Sequence, residues 1–436
     1  MSCKRGAVLL AGGYLVLVGV LVVALFHGIT WSPPPLKQVA YVAGCVAYVL
    51  FCCQFLLSAR LRWLDRWVSQ DRLFILHGVL AVVALVVVWT HGILVTWGSE
   101  KESALREAGE IARLLFLLTT LGGVILLGTV GLERVPGYVA LRRGVRRVFH
   151  LRYHWCVWLH NFAVVAAAVM LMHVLLLHAP TLVPFKAVCV LLYAACVGTH
   201  LYQRLLRWRL LPLWQCTSAA TPGEAIRTLR FTPEAGAGLS FVPGQFAYLS
   251  VDARGLREPH PFTIAGGRNG ELEFDIKGVG DWTRELPTVT TGSRARLHGP
   301  FGAFTTRGLD PDRPLLLLAG GIGITPFLAM VRDLAATASS RQVRLVWSVN
   351  VAQDAFARAE LDRLASRLPN LQVTVRVTQA QGVLDQTAFV GLLGGADLAR
   401  TEAFLCGPPP FMAAMERHLR GLGLPKRQVH QERFGY

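Results

Sequence analysis

Residues Leu73–Trp97 read LFILHGVLAVVALVVVWTHGILVTW, and this stretch decides how the first half of the chain folds. It contains no Asp, Glu, Lys or Arg, and its ionisable side chains are His77 and His91. A helix of about 20 apolar residues is long enough to cross the hydrocarbon core of a membrane. Ionisable groups inside that core are energetically costly and usually functional. The stretch therefore predicts a membrane-spanning helix whose two histidines have a function.

Similar apolar runs occupy the chain up to Pro212. The six predicted spans are Ala7–Ile29, Gln38–Ala59, Leu73–Trp97, Ile111–Val130, Cys156–Leu177 and Pro184–Tyr202. Lys4 and Arg5 precede the first run, as in a signal peptide. That run is long for a signal core and no small-residue cleavage site follows it, so we expect a retained span.

Beyond Pro212 the sequence becomes an ordinary soluble one, rich in turn residues. The whole chain is 53% hydrophobic and 16% charged, whereas soluble proteins are about 25% charged. We therefore expect a multi-domain membrane protein. A six-helix transmembrane bundle (residues 1–211) precedes an antiparallel β-barrel domain (212–308) and an α/β nucleotide-binding domain (309–436).

The net charge of +17 comes largely from short arginine clusters between the apolar runs. The clusters follow spans two, four and six, as the positive-inside rule requires when both termini and the soluble half are cytoplasmic. We expect a multi-pass protein of the cell membrane, with the lipid bilayer as a partner. A nucleic-acid surface would need these charges on one exposed face with aromatic readers, so we exclude it. The nine cysteines form no C-x-x-C pattern, which excludes the usual iron–sulfur, zinc and covalent haem signatures.

Span five contains a second pair of histidines, His160 and His173. The separations are 14 residues (91 − 77) in span three and 13 residues (173 − 160) in span five, and the rises along a helix are about 21 and 20 Å. Because both spans run in the same direction, His77 lies level with His160, and His91 with His173. Neutral imidazole is a good ligand for haem iron, and stacked haems carry electrons across an insulating layer. The two pairs therefore predict two bis-histidine b-type haems.

Span five fits this prediction less well than span three. Thirteen residues leave a rotation of about 220° on an ideal helix, so either the span is locally rewound or the two haems are offset sideways. His178, which is 18 residues after His160 (178 − 160), is an alternative outer ligand, because that separation is five whole turns. His27 and His200 lie near span ends and are expected to be interfacial. Helix packing would explain a single such histidine, but four in register favour ligation.

Short alternating strands follow Pro212. Thr228–Phe231 and Phe246–Val251 read as strands of a small antiparallel barrel. The segments His260–Thr263 (HPFT) and Gly280–Thr283 (GDWT) come next. Glycine lets a backbone approach a pyrophosphate closely, and hydroxyls or amides at a helix start can bind it. The order of these segments predicts a cofactor site.

From Pro314 onward the pattern is one of alternating strands and helices. Leu315–Ala319 reads as a buried parallel strand, Gly320–Pro326 as a glycine-rich turn and Phe327–Leu334 as the helix after it. Strand, glycine turn and helix start are typical of a dinucleotide phosphate site, although the full G-x-G-x-x-G pattern is missing. Cys406-Gly407 follows a later strand, at the edge of the sheet where ligands bind in open α/β folds.

The whole chain resembles the ferric reductase / NADPH oxidase superfamily. In that family a six-helix haem-binding membrane domain is fused to a ferredoxin-reductase-like module for FAD and nicotinamide. The resemblance rests on the spacing of the four histidines, on the glycine turn and on the other segments quoted above. It implies that His77, His91, His160 and His173 are the haem-iron ligands.

The resemblance also implies roles for soluble residues. His260, Pro261, Phe262 and Thr263 would form the flavin-binding strand, and Gly280, Asp281, Trp282 and Thr283 the pyrophosphate segment. The nicotinamide dinucleotide would bind at Gly320, Gly321, Gly323, Thr325, Pro326 and Gly407. Cys406 would lie beside the nicotinamide ring as a catalytic residue. The terminal aromatic that covers the flavin would be Phe434, with Tyr436 as the second choice.

Two features differ from many relatives and leave choices open. Ser348–Val351 contains no basic residue, so the sequence leaves the choice between NADPH and NADH open. Val95 stands where animal oxidases have a further histidine, so a dedicated oxygen site is in question. The acceptor on the outer face is expected to be dioxygen or a ferric chelate. The alternatives are a membrane or periplasmic partner, a quinone, or a haem-binding scaffold without turnover.

Overall fold

The computed structural model of the chain describes residues 3–30, 32–65, 67–97, 104–127, 137–148, 153–178, 180–223, 225–236, 238–267, 270–393 and 397–433. The chain divides into two compact units, with the boundary between Arg209 and Leu210. The first unit is helical, and the second contains two β-sheets.

The helices of the first unit follow the apolar runs of the sequence. They are α1 (Cys3–Gly28), α2 (Pro35–Ser58), α3 (Arg62–Asp65), α4 (Gln70–Thr96), α5 (Ala104–Gly122), α6 (Tyr138–Val148), α7 (Tyr153–His160), α8 (Ala163–Leu175), α9 (Val183–Leu201) and α10 (Arg207–Leu210). A wider π-type turn, Gly123–Leu127, continues α5, and another, Tyr202–Leu206, joins α9 to α10.

Length and composition make six segments candidates for membrane spans. Within the described ranges these are Val8–Gly28, Pro35–Ser58, Arg72–Thr96, Ala104–Ile125, Cys156–Leu175 and Pro180–Leu210. They follow the order of the six predicted runs, which confirms the predicted series of long apolar helices. Large apolar side chains point outward from them, such as Leu15, Leu118 and Leu191, which are 74%, 64% and 69% exposed. Such extended apolar surface is typical of helices that face lipid rather than water.

Helix α2 is the best-buried helix of this unit. Phe51 of α2 stacks on Phe116 of α5, with ring centroids 3.7 Å apart. The Tyr48 hydroxyl donates a 2.8 Å hydrogen bond to the carbonyl of Cys189 in α9. Helix α2 also packs along α4, so its backbone lies next to the span that carries His77 and His91.

The second unit begins with an antiparallel sheet. Its strands are β1 (Leu213–Gly223), β2 (Ile226–Pro233), β3 (Phe246–Val251), β4 (His260–Thr263), β5 (Leu272–Lys277) and β6 (Arg294–Phe301), in the spatial order β4-β3-β6-β1-β2-β5. Two backbone hydrogen bonds of 2.9 Å link Ala265 and Gly266, just after β4, to Glu273 in β5. The sheet therefore curls until its two edges meet, as expected for a small barrel, and α11 (Asp281–Arg284) lies between β5 and β6.

A parallel sheet with helices on both faces follows. Its strands are β7 (Leu315–Gly320), β8 (Val343–Val349), β9 (Leu371–Val377), β10 (Glu402–Gly407) and β11 (Val429–Arg433), in the order β11-β10-β7-β8-β9. The helices are α12 (Thr325–Ala336), α13 (Arg358–Arg367), α14 (Thr378–Gln381), α15 (Gln386–Leu393) and α16 (Pro409–Gly421).

The leucine run of β7 shows why this strand is central. Leu315 and Leu317 join the core that includes α12 and α13, whereas Leu316 and Leu318 pack with residues of α15 and α16. Successive side chains of a strand point to opposite faces, so a strand covered on both faces needs a continuous apolar run. The predicted fold class of long apolar helices, an antiparallel domain and an α/β domain is confirmed.

Candidate functional site

The four histidines of spans three and five meet in two pairs. The rings of His77 and His160 have centroids 6.0 Å apart and planes inclined at 77°. Those of His91 and His173 are 6.4 Å apart and inclined at 85°. The structure therefore brings together the residues that the sequence pairs by depth.

This separation fits one metal ion between each pair. Metal–imidazole bonds are about 2 Å long, so two imidazoles on opposite sides of one ion have ring centres roughly 6 Å apart. Within the described residues, no group of three or more histidine, cysteine or acidic side chains could hold a metal ion. Two protein ligands are enough for haem iron when the porphyrin supplies the other donors. The pairs fit haem better than a bare transition-metal ion.

Span five is interrupted between its two histidines. Helix α7 ends at His160, and α8 begins at Ala163. Around this break the amides of Phe162 and Val164 bond to carbonyls three residues back, at 3.0–3.1 Å, and the Asn161 amide is shared between the carbonyls three and four residues back, at 3.1 and 3.0 Å. Residues in 3₁₀ turns rise about 2.0 Å and turn about 120°, against 1.5 Å and 100° in an α-helix. Two or three of them give 13 residues a rise of about 20.5–21 Å, close to that of 14 α-helical residues. Span five is therefore locally rewound at this break, as one of the two explanations requires.

Hydrogen bonds define which ring nitrogen is available in three of these histidines. The Nδ1 atoms of His91 and His173 lie 2.7 Å from the carbonyl oxygens of Ala40 and Leu105, and Nδ1 of His160 lies 3.2 Å from that of Thr119. A carbonyl can only accept, so Nδ1 carries the proton in each case. A neutral imidazole with a protonated Nδ1 has its lone pair on Nε2, the state that binds a metal.

Nδ1 of His77 differs from the other three. It lies against the backbone of Gln54, but it is buried and forms no hydrogen bond of ordinary geometry within the described residues. His77 is therefore held by packing more than by a directed bond.

Other histidines of the first unit have different surroundings. His178 is exposed beyond the end of α8, whereas His173 is the residue that faces His91. His200 was expected at the interface. It is half-buried, lies 3.2 Å from the Ser58 hydroxyl through Nδ1 and meets the Phe55 ring edge-on.

Arg113 is a residue near the His91 pair that motif reading did not single out. Its side chain, in α5, is 17% exposed, and its nearest carboxylate, Glu110, is 3.8 Å away. The guanidinium lies over the Trp89 ring at 5.2 Å and fills the space beside Gly92. It is close enough to act electrostatically on both His91 and His173. The signal in the sequence that could have identified Arg113 is its position as an arginine inside the predicted span Ile111–Val130.

The segment predicted to bind flavin forms an aromatic group on the barrel. His260 and Phe262 alternate with Pro261 and Thr263 along β4, so they share one face. Both rings contact Trp282, His260 at 5.0 Å and Phe262 at 5.1 Å between centroids. The Trp282 indole nitrogen is buried and has no hydrogen-bond partner in the described part of the chain. An aromatic face with an unused donor is a suitable surface for a flat heterocycle with polar edges.

The neighbouring turn holds its own shape through a hydroxyl group. The amides of Val279 and Gly280 both donate 2.9 Å hydrogen bonds to Oγ1 of Thr283. The Asp281 carboxylate is fully exposed and lies 3.3 Å from Arg284. The two predicted flavin segments therefore meet through Trp282, while Asp281 points to solvent.

The glycines after β7 allow the close approach of two strand ends. A Cβ at Gly320 would lie 2.8 Å from the Phe411 ring and 2.9 Å from Pro408, and one at Gly323 would overlap the Cys406 carbonyl. Gly321 has φ +55°, in the region that favours glycine, and its carbonyl accepts a 2.8 Å hydrogen bond from the Trp347 indole. Thr325 and Pro326 then begin α12. The two predicted nicotinamide segments are thus adjacent.

Cys406 is fully buried beneath this turn. Burial, followed by the nearby Glu432, raises the pKa of its thiol well above the ordinary value. The group therefore remains a neutral thiol at physiological pH and is not a thiolate nucleophile. Gly407 follows it, with Gly320 against its backbone. The predicted residues Phe434 and Tyr436 lie outside the described residues.

One arginine connects the antiparallel and parallel sheets. Arg332 of α12 bonds to Glu273 of β5 at 2.7 Å and to Glu360 of α13 at 2.7 Å, and it donates to the Ala265 carbonyl at 2.8 Å. Burial would raise the pKa of the Glu273 carboxyl, but Arg332 and Arg230 hold it below the ordinary value. The ion pairs fix the barrel against the helices of the parallel sheet.

Comparisons with known proteins agree with this arrangement of the second unit. Residues 317–417 match the family described as Oxidoreductase NAD-binding domain. The toluate 1,2-dioxygenase electron transfer component of Pseudomonas putida is 30% identical over 205 residues, which are 45% of this chain and 59% of that protein. The propane 2-monooxygenase reductase component of Rhodococcus jostii (strain RHA1) is 29% identical over 223 residues, which are 48% and 60%.

The chain thus spans about three fifths of the length of these relatives. A solved structure, the flavohem-like FAD/NAD binding domain of nitric oxide dioxygenase from Vibrio cholerae O1 biovar El Tor, aligns at 24% identity and a TM-score of 0.46 over 52% of this chain and 99% of that one. Residues 317–417 thus match an oxidoreductase NAD-binding domain, and the C-terminal half of the chain, with its barrel and parallel sheet, is similar to electron-transfer reductase components; six long apolar helices precede it.

Proposed function

We propose that the chain is a transmembrane oxidoreductase of the ferric reductase / NADPH oxidase type. It takes electrons from NADPH or NADH on the cytoplasmic side and delivers them, through FAD and two b-type haems, to an acceptor on the outer face of the cell membrane. One observation carries the proposal: two imidazole pairs, each spaced for one metal ion, lie in an apolar helical unit that the same chain joins to a reductase module.

The residues suited to each cofactor are those that the site brings together. His260–Thr263 and Gly280–Thr283 would hold FAD, with Phe434 or Tyr436 covering it. Gly320–Pro326 and Cys406-Gly407 would hold the nicotinamide dinucleotide. When bound, flavin exchanges electrons in pairs or singly and haem iron exchanges them singly, and the protein supplies binding, orientation and electrostatics.

The protein groups have distinct tasks in this proposal. The His77–His160 pair would hold the inner haem and the His91–His173 pair the outer haem, each through Nε2. The apolar bundle keeps water and ions out, which lowers the dielectric around both pairs. Cys406, as a buried thiol that keeps its proton, would shape the nicotinamide site without acting as a base or nucleophile.

Cofactor content of the purified full-length protein tests the proposal. We expect two b-type haems and one FAD per chain in detergent. His91→Leu should remove one haem and stop electron transfer to the outer face. The variant should still oxidise NAD(P)H when a soluble dye accepts the electrons, because that reaction needs only the C-terminal module. His178→Leu is the matched control and should keep both haems. Two haems in His91→Leu, or none in the wild type, would contradict the proposal.

The identity of the acceptor needs a separate assay. In reconstituted vesicles, superoxide-dependent cytochrome c reduction reports dioxygen as acceptor, and ferrozine-detected Fe²⁺ reports a ferric chelate. Dioxygen and ferric chelates are the first candidates, because an outer haem can pass single electrons to either.

A second candidate function is electron delivery to a protein partner. It is favoured by the names of the two curated relatives, an electron transfer component and a reductase component. A haem-loaded protein that oxidises NAD(P)H with a dye but gives neither superoxide nor Fe²⁺ would support this candidate.

A further inference from the structure

Three of the four paired imidazoles rest on a neighbouring helix in the same way. Nδ1 of His91 lies 2.7 Å from the Ala40 carbonyl in α2. Four residues later α2 has Gly44, where a Cβ would lie 2.9 Å from two atoms of the same ring. We call such a carbonyl, with a glycine four positions later, a carbonyl notch.

Helix α5, with the π-type turn that continues it from Gly123, provides two more carbonyl notches. Leu105 accepts from His173, and a Cβ at Gly109 would lie 2.9 Å from that ring. Thr119 lies 3.2 Å from Nδ1 of His160, and a Cβ at Gly123 would lie 3.1 Å from that atom. Each glycine again follows its carbonyl by four residues.

Helix geometry explains why the two positions go together. A Cα–Cβ bond points toward the helix N-terminus, so the side chain at one position covers the carbonyl one turn earlier. An imidazole can reach that carbonyl from the side only if the covering residue is very small. The glycine is therefore a condition for the hydrogen bond that fixes the protonated nitrogen.

We infer that the carbonyl notches of α2 and α5 are positioning sites that set the ring angle and the Nε2 orientation of the haem ligands. Gly44, Gly109 and Gly123 are the residues responsible. This inference rests on the proposed function and adds to it the groups that hold the haem ligands in position. Partners of this kind typically change metal affinity by about 10–100-fold when they are altered.

The spacing of the notches matches the spacing of the ligands. Ala40 and Gln54 are 14 residues apart (54 − 40), as are Leu105 and Thr119 (119 − 105). The 14-residue repeat of α2 equals the separation of His77 and His91 in α4. Opposite α5, the ligands of span five are 13 residues apart, and the 3₁₀ turn at Asn161–Phe162 supplies the missing rise. The break in span five thus adapts it to an unbroken α5.

The fourth notch is incomplete. The Gln54 carbonyl belongs to it, but Ser58 takes the position of the glycine and bonds to His200 and to the Phe55 carbonyl. Nδ1 of His77 correspondingly lacks a hydrogen bond of ordinary geometry within the described residues. Serine in place of glycine and a poorly directed contact with the Gln54 carbonyl occur together, as the proposed geometry requires.

Alanine substitutions of single glycines test the inference. Gly44→Ala and Gly109→Ala should each disturb the haem between His91 and His173, and Gly123→Ala the haem between His77 and His160. Gly198→Ala in α9 is the control, because a Cβ there meets nothing within 4 Å. The readouts are haem per FAD in the detergent-purified full-length chain and the low-spin ferric electron paramagnetic resonance spectrum. The FAD content reports whether the chain has folded.

We expect each of the three variants to keep its FAD and to lose about 10–100-fold in affinity for one haem, or to shift the g values of that haem alone. Gly198→Ala should match the wild type. The inference is overturned if all three variants retain two haems with wild-type g values. A wild type without haem would instead refute the proposed function, so the two failures can be told apart.

Discussion

Replacing Asp275 with asparagine should make the thermal stability of the C-terminal module less dependent on pH. Asp275 lies in β5, is 7% exposed and accepts a 2.5 Å hydrogen bond from the Thr228 hydroxyl. Burial raises the pKa of its carboxyl to about 6 from the ordinary 3.8; the Thr228 bond opposes this shift, and the neighbouring Glu273 adds to it. The folded protein therefore keeps a proton on Asp275 at pH values where the unfolded chain has lost it.

The sign and size of the effect follow from this difference. A folded state that binds more protons loses stability as pH rises, so the contribution is complete below about pH 3.8 and is lost through about pH 6. A shift of about two pKa units corresponds to about 3 kcal/mol in total, and roughly 1.4 kcal/mol of it is lost between pH 5 and pH 8. For a unit of this size that is about 3–5 °C in Tm.

The assay is thermal release of flavin from the full-length protein in detergent at pH 5, 6.5 and 8. Between pH 5 and pH 8, the Tm of the wild type should fall by about 3–5 °C more than the Tm of Asp275→Asn. Thr228→Val removes the bond that lowers the pKa and should enlarge the loss. Asp362→Asn is the control, because that carboxylate is half exposed and paired with Arg358. Equal Tm losses in the wild type and Asp275→Asn would show that the carboxyl is ionised in the fold.

Three further changes probe other parts of the chain. Arg113→Gln removes a cation that acts on both His91 and His173 and should lower the reduction potential of the outer haem by on the order of 50–100 mV, the effect that a unit charge at roughly 10 Å would have through an effective dielectric constant of about 20; an unchanged redox titration would refute this. Gly323→Ala should weaken NAD(P)H binding more than tenfold in a titration, because its Cβ overlaps the Cys406 carbonyl. Arg332→Gln removes the Arg332 ion pair of Glu360 and leaves Glu273 with Arg230 alone, and should destabilise the module by about 2 kcal/mol; a Tm within 1 °C of wild type would contradict it.

Elements whose sequence signals are local could be predicted from the sequence. The run from Leu73 to Trp97 predicted a long apolar helix, and the leucines of β7 predicted a strand buried on both faces; both appear in the structure. The depth pairing of the four histidines also followed from spacing alone, because two parallel helices share one rise per residue. Ligation by these residues stays a prediction.

Other features have no local signal. Arg332 reaches Glu273 across 59 positions of the chain, and ion pairs between separate elements leave no periodic pattern. The supporting carbonyls of α2 and α5 belong to the backbone, so a sequence shows them only through the glycines four residues later. For span five, the 13-residue spacing indicated a rewound helix or a sideways offset of the haems, and the rewinding itself is visible only in the backbone hydrogen bonds of Asn161 and Phe162.

The matched carbonyl notches of α2 and α5 fix a distance along the proposed electron path. With two haems bound as proposed, the distance between their levels would be set by four turns of α2 and α5, about 21 Å of rise, and not by any loop. Connections between spans could therefore lengthen or shorten without altering the distance that the proposed electron transfer covers. One residue inserted between Ala40 and Gln54 would turn one notch by about 100° away from its ligand, so insertions should be tolerated at the helix ends and not between the notches.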